Sequence, residues 1–232
     1  MPVVARSLSV LDAFGDGVPS LRLSAIAART GLPAPTTLRL VRELVAWGGL
    51  ERQADGSYRL GTRLWVLGNR APCPQRLRDA VGLPILHAAT GHSAHVAVAD
   101  TAGALVIGES GGLVPDGTLL PWHATAAGLV LLAWADDDVR ASALAAPARL
   151  TPYTVTAPGL LTERLRRIRH GEVAVSREEW RPGRTHVAVA VPGPHGRPAG
   201  ALALAGRTAI PPGAVAALRR TAAAAGAVLA RH

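Results

Sequence analysis

Residues 20–61 constrain the fold more than any other stretch of the chain. Ser24 to Thr30 is a short amphipathic run that places Leu23, Ile26 and Ala27 on one side. Gly31 follows it, where a turn with positive φ joins two helices. Pro35 then opens a second run whose apolar positions are Leu40, Val41 and Leu44, and proline is well tolerated in a first helical turn. Gly48-Gly49 stops that helix, and Leu50 to Leu60 reads as a hairpin with Asp55-Gly56 at its turn. Helix, tight turn, helix and hairpin together set one helix into a DNA major groove, so the pattern implies double-stranded DNA as a partner.

The second helix leaves Thr36, Arg39, Arg42 and Glu43 as polar positions for an exposed face. Arg39 and Arg42 lie one turn apart, and an arginine that forks onto guanine discriminates bases by about 1–3 kcal/mol. Thr36 and Thr37, at the helix start, suit phosphate or thymine-methyl contacts. Arg59 in the hairpin and Arg6 near the N-terminus suit backbone phosphates. Against this stands a plain alternative for Arg39, an i,i+4 ion pair with Glu43 on a solvated face.

Net charge adds little to the argument. The formal charge is +9, yet residues 1–63 hold eight Arg against five acids and residues 64–232 hold seventeen against eleven. The DNA-directed part is therefore not unusually basic. All 25 basic residues are Arg, and aromatics are only 3%, so Ala, Val and Leu must fill the interior. One cysteine, Cys73, excludes an internal disulfide and fits a reducing compartment. No secretory leader opens the chain and no apolar run is long enough for a membrane span, so a cytoplasmic protein without a membrane partner is expected.

Elsewhere, Arg6 to Phe14 reads as an opening helix with Leu8, Leu11 and Phe14 at helical spacing, ended by Gly15-Asp16-Gly17. A helical piece from Thr62 to Leu67 is expected to break at Pro72-Cys73-Pro74, with a second piece from about Gln75 that Pro84 disturbs. Residues 94–99 and 104–107 read as strands joined by a turn. Helices are expected over 124–134, 136–146, 160–169 and 215–230, and strands over 186–191 and 199–205.

Several of these stretches, in this order, resemble the IclR family of bacterial transcriptional regulators over essentially the whole chain. The likeness rests on Arg6-Ser7-Leu8-Ser9-Val10-Leu11, on Ile26-Ala27 through Gly31-Leu32-Pro33 with Thr36 and Arg39-Leu40, and on Tyr58-Arg59-Leu60-Gly61. It continues in Leu120-Pro121-Trp122-His123-Ala124-Thr125-Ala126-Ala127-Gly128, Leu150-Thr151-Pro152-Tyr153-Thr154 and Ser176-Arg177-Glu178-Glu179-Trp180. The resemblance implies an α+β chain of two domains. These are a winged helix-turn-helix over 1–61 and a GAF-like effector-binding domain over 80–232, an antiparallel sheet with flanking helices, joined by a linker helix region over 62–79. It also implies a homodimer or homotetramer on a palindromic operator, controlled by a small organic or aromatic acid, with no cofactor and no enzymatic activity.

The chain departs from the family at informative positions. Ala34-Pro35 stands where the family commonly has Lys-Ser, and Leu129 replaces a common Lys. Family pocket positions that often carry Asp, Cys and two Ser hold Ser176, His186, Ala203 and Ala205. With these matched positions, the candidate effector set is Trp122, Ala126, Ala127, Ser176, Arg184, His186, Ala203 and Ala205. Arg184 and His186 share a strand face and could together hold a carboxylate, Arg offering a planar fork. The alternatives are a solvated Arg184, a satisfied core His186, and an effector domain that only oligomerises. A metal site is not expected, because His92 and His95 straddle a turn-to-strand junction without further ligands. Gly108-Glu109-Ser110-Gly111-Gly112 satisfies a nucleophile-elbow pattern, but loop residues follow where a helix is required, so a serine hydrolase using Ser110 is the remote alternative.

Overall fold

A computed structural model describes residues 2–15, 18–68, 70 and 72–231, in two compact units, 1–72 and 73–232. The first unit holds helices α1 (Val3–Asp12), α2 (Leu23–Thr30) and α3 (Ala34–Trp47), strands β1 (Leu50–Arg52) and β2 (Tyr58–Leu60), and helix α4 (Thr62–Gly68). Its core gathers Val10, Phe14, Leu21, Ile26, Leu40, Val41, Leu50 and Tyr58. Helices α1, α2 and α3 each supply one apolar stripe, as an amphipathic helix must. Gly31 follows α2 at φ 68°, so the expected left-handed turn is present. Arg29 fixes the packing of α2 by donating to the Ala13 carbonyl at 2.7 Å.

Leu8 corrects the reading of the first helix. It is 54% exposed, while Val10, Ala13 and Phe14 are buried. The helix starts at Val3, and the face that meets α3 passes through Val10. Asp16 and Gly17, assigned to the stop after this helix, lie outside the described residues.

β1 and β2 pair antiparallel with Leu50 opposite Leu60 and Arg52 opposite Tyr58. Their loop is closed by Gln53 donating to Ser57 and Gly56 donating to Gln53, a three-residue connection rather than a two-residue one. Leu21 adds a bridge by exchanging backbone hydrogen bonds of 2.8 Å with Tyr58 in both directions. Gly61 leaves the wing with its N–H on the Gly49 carbonyl at 2.9 Å, and a Cβ there would stand 2.2 Å from the Gly48 oxygen. Only glycine allows that backbone approach.

The second unit holds α5 (Pro72–Val81), α6 (Leu83–Thr90), β3 (Ser93–Ala99), β4 (Ala104–Ser110), β5 (Leu119–Leu120), α7 (Ala126–Ala133), α8 (Asp137–Ala145), α9 (Pro158–Arg169), β6 (Ala174–Arg177), β7 (Thr185–Pro192), β8 (Pro198–Gly206) and α10 (Pro212–Leu229). The six strands form one antiparallel sheet in the order β5-β4-β3-β8-β7-β6. One face packs on α7 and α9 through Ala97, Val106, Ala188, Ala201, Ala203 and Ala205. The other face packs on α5, α6 and α10 through Val96, Val187, Leu202 and Leu204, against Leu77, Leu86 and Leu218.

Three local readings are corrected here. The first helical piece ends at Gly68 and a second follows as expected, but it begins at Pro72 rather than near Gln75, with Pro72-Cys73-Pro74 as its first turn. The break after α5 comes at Gly82, left-handed at φ 53°, and Pro84 sits in the first turn of α6, where its missing N–H costs nothing. Strands β5 and β6, of two and four residues, went unread.

Candidate DNA-reading face and effector site

On α3 the arginines differ in their freedom. Arg42 is exposed and has no hydrogen-bond or ion-pair partner among the described residues. Arg39 approaches Glu43 at 3.6 Å, with both side chains about 60% exposed, which matches the plain alternative for this residue without removing it from solvent. Thr36 is half-buried. Thr37 is a correction: it is fully buried, and its hydroxyl donates inward to the Pro33 carbonyl at 3.1 Å. It continues the apolar stripe of Leu40, Val41 and Leu44, so it has no surface to offer a phosphate or a base.

Arg59 on the wing donates to Glu51 from both Nε and Nη2. Arg6 is half-buried, with Nε enclosed and unpartnered. Two further cations, Arg22 before α2 and Arg52 at the end of β1, are exposed on this unit and were not singled out in the sequence. Their positions at a helix start and a wing tip were the available signal.

In the second unit the strand register assembles a row of side chains on the face that meets α7. Ser176 lies opposite His186, His186 opposite Ala205, and Ala205 opposite Ser93. The next row runs through Ala174, Ala188, Ala203 and His95. Ser176, His186, Ala203 and Ala205 are thus brought together as expected, and all four are buried. Ala126 and Ala127 belong to the same buried cluster. Trp122 is buried too, but it borders clefts shared with Ala99, Asp100, Asp138 and Val139 at the β3–β4 turn and α8. Ser176 is satisfied internally, its hydroxyl donating to the Ala124 carbonyl at 2.7 Å.

The chemistry of this face concentrates on residues the sequence reading only half identified. His95 and His186 stand with ring centroids 6.1 Å apart, edge to face, and Trp180 meets His186 edge-on at 5.6 Å. Burial pushes the His95 imidazole down to about 3, with a smaller contribution from His186. Burial likewise pushes His186 down to about 4, helped by the charges of Arg184 and Arg181. Both rings are therefore neutral near pH 7. None of their four nitrogens has a hydrogen-bond partner, and neither does the buried Nη1 of Arg184. His95 and Trp180 were missed as site residues. Alternation along Ala94-His95-Val96 was a signal for the first, but its neighbours depend on register.

Trp180 is held by a pinned loop. Thr151 donates to the Glu178 carbonyl and Thr154 to the Glu179 carbonyl, each at 2.6 Å. The Glu179 carboxylate takes both terminal nitrogens of Arg164, at 2.8 and 2.9 Å. The Arg181 guanidinium covers the Trp180 ring at 4.4 Å.

Two alternatives lose their geometry. Residues 111–114 after Ser110 are bends with no helix, so the nucleophile elbow is not formed. Among the described residues no group of three or more potential ligands gathers to hold a metal ion, and no helix is long and apolar enough to cross a membrane.

A winged helix with exposed arginines on its second helix, paired with a unit that encloses unsatisfied polar groups, defines a DNA-binding regulator of the effector-controlled class. The IclR helix-turn-helix domain matches residues 3–54 and the bacterial transcriptional regulator IclR C-terminal domain matches residues 83–210. The chain belongs to the IclR family of transcriptional regulators. It is 30% identical over 205 residues to the HTH-type transcriptional regulator XynR of Escherichia coli, covering 82% of this chain and 81% of that protein. It is 27% identical to the p-hydroxybenzoate hydroxylase transcriptional activator of Acinetobacter baylyi, over 82% and 74% of the two chains. Among solved structures it is similar to an IclR homologue from Microbacterium hydrocarbonoxydans complexed with 4-hydroxybenzoate, with a TM-score of 0.91, 29% identity and full coverage of both chains.

Proposed function

We propose that this regulator answers to a small aromatic carboxylic acid, held at the face that carries Arg184, His186, His95 and Trp180. The observation that carries this reading is the buried, unpartnered Nη1 of Arg184 beside His186. A buried guanidinium N–H without a partner is costly unless an acceptor completes it, and a carboxylate matches the guanidinium fork. The relative complexed with 4-hydroxybenzoate and the activator of a p-hydroxybenzoate hydroxylase favour an aromatic acid. Ser176, Ala126, Ala127, Ala203 and Ala205 would shape the floor and back of the site, with Trp122 more remote.

On DNA, Arg42 is assigned to base reading, with Arg39 and Thr36 beside it and Arg6 and Arg59 on phosphates. A homodimer or homotetramer would present two such helices to a palindromic operator in the cytoplasm. Acid binding would favour one arrangement of the pair, with residues 62–79 between the 1–61 and 80–232 domains as the coupling segment. No catalytic role is assigned to any residue.

Gel shifts on fragments upstream of the coding region, with and without 4-hydroxybenzoate, test the reading together with a thermal-shift titration of the same acid. A melting temperature that rises with the acid in the wild type and stays constant in Arg184→Ala supports it. No response to any aromatic acid favours the second reading, a domain that only oligomerises. The complete burial of Ala203 and Ala205 in the α7 core speaks for that alternative.

A further inference from the structure

The start of α4 is tied to the DNA-reading elements on two sides. The N–H of Thr62, at a helix start where such groups lack an internal partner, is accepted by the Glu51 carboxylate of β1 at 3.1 Å. Arg63 reaches the other way, to the end of α3. Its Nη1 donates to the Trp47 carbonyl at 3.1 Å, and its guanidinium stands over the Trp47 ring at 5.0 Å. Gly48 and Gly49 donate to the Val45 and Leu44 carbonyls, so Arg63 completes the cap of the helix that carries Arg39 and Arg42. A Cβ on Gly48 would meet the Arg63 stem at 3.5 Å, so that stem lies along the turn.

Beyond this root α4 buries no residue, and Val66 and Leu67 are exposed. Its direction within the first unit is therefore set where it begins. It is also the covalent way out of that unit toward residues 73–232. A helix of seven residues is about 10 Å long, so a swing of about 20° at the root moves its far end by about 3.5 Å, the rise of one base pair.

We infer, on the basis of the paired arrangement proposed above, that Arg63 is a positioning residue for operator recognition. By clasping Trp47 it fixes the direction in which α4 leaves the recognition helix, and with it the half-site spacing that two copies accept.

The test is selection of binders from a random duplex library with the full chain, then anisotropy on the recovered sequence with base pairs added or removed between its half-sites. The wild type is expected to recover paired half-sites at one separation and to lose roughly tenfold in affinity when the separation changes by a single base pair. In Arg63→Ala that loss shrinks to a few-fold while the half-site sequence stays the same. Trp47→Leu keeps the cation, removes the ring beneath it, and is expected to relax the spacing as well. A truncation that only loosened the fold would lower every affinity by one factor and leave the ratio intact, which overturns the role. So does an Arg63→Ala variant that keeps the ratio and loses about one unit of salt slope, since Arg63 then holds a phosphate. Recovery of single half-sites by the wild type overturns the paired arrangement together with the spacing role. Arg63 is exposed and lies outside the core, so Arg63→Ala decides even if Trp47→Leu does not fold.

Discussion

Arg59 donates to one oxygen of Glu51 through Nε and Nη2, at 2.9 and 2.7 Å, so this cation of the wing is already paired across the two strands. The other Glu51 oxygen accepts the backbone N–H of Thr62, the first residue of α4, at 3.1 Å. The Arg59 hydrogen bond, and then the Thr62 N–H, hold the Glu51 carboxyl below the usual carboxylate range. To reach a phosphate, Arg59 must share or leave this partner. Glu51→Gln keeps an acceptor for Thr62 and removes the counter-charge. Operator affinity should then rise, and the slope of log K against log salt should steepen by about one unit. An unchanged slope in salt-dependent gel shifts would take Arg59 off the phosphates.

Arg42 and Arg39 should separate in the same assay. Arg42→Ala loses an unpaired cation from the exposed face of α3 and should weaken operator binding roughly tenfold or more at fixed salt. Arg39→Ala loses a cation already engaged with Glu43 and should cost less. Fluorescence anisotropy that ranks them the other way would contradict this placement of the helix.

Thr37→Val keeps the shape of a fully buried side chain and removes its hydrogen bond to the Pro33 carbonyl. The expected result is a stability loss of about 1 kcal/mol in chemical denaturation, with the DNA affinity of the folded protein unchanged. A selective loss of DNA affinity at full stability would restore Thr37 as a contact.

Acid should unfold the second unit through its histidines. In the unfolded chain both imidazoles take up a proton near pH 6.5. In the fold, burial delays protonation to about 3 for His95 and about 4 for His186. The unfolded state therefore binds more protons between those values. Stability is full above pH 6.5 and falls as pH drops below it, by up to about 1.4 kcal/mol per pH unit for each residue. Denaturation curves at pH 7, 6 and 5 should show the decline, and His95→Phe should remove part of it. A flat profile would mean that the rings are not enclosed in solution.

Glu179→Ala strands the mostly buried guanidinium of Arg164 and unpins the loop that carries Trp180. A loss of roughly 3 kcal/mol is expected from breaking such a pair on one side only. A second readout is a shift in Trp fluorescence upon adding 4-hydroxybenzoate that differs from the wild type. A variant as stable as the parent would show the pair to be solvated.

Much of the first unit was legible because its signals are local. Gly31, Pro35 and Gly48-Gly49 each act within a turn of their own position, and the helices end where these residues stand. What escaped depends on distant partners. The Leu21–Tyr58 bridge joins residues far apart in sequence, and the face of α1 is set by α3 rather than by its own leucines. Thr37 was misread although its spacing to Leu40, Val41 and Leu44 is helical, because a polar residue at a helix start looks like a contact residue. In the second unit Arg184 and His186 were paired by alternation along one strand. His95 was out of reach, since only the β3–β8–β7 register brings it to His186.

The guanidinium of Arg164 that grips Glu179 also donates to the Val175 carbonyl on β6, the last strand of the sheet. An outermost strand normally offers such a carbonyl to any extended chain that drifts past. Here α9 has already spoken for it. That border is thus closed at this carbonyl to strand addition by another chain, and the closure comes from a helix of the same unit.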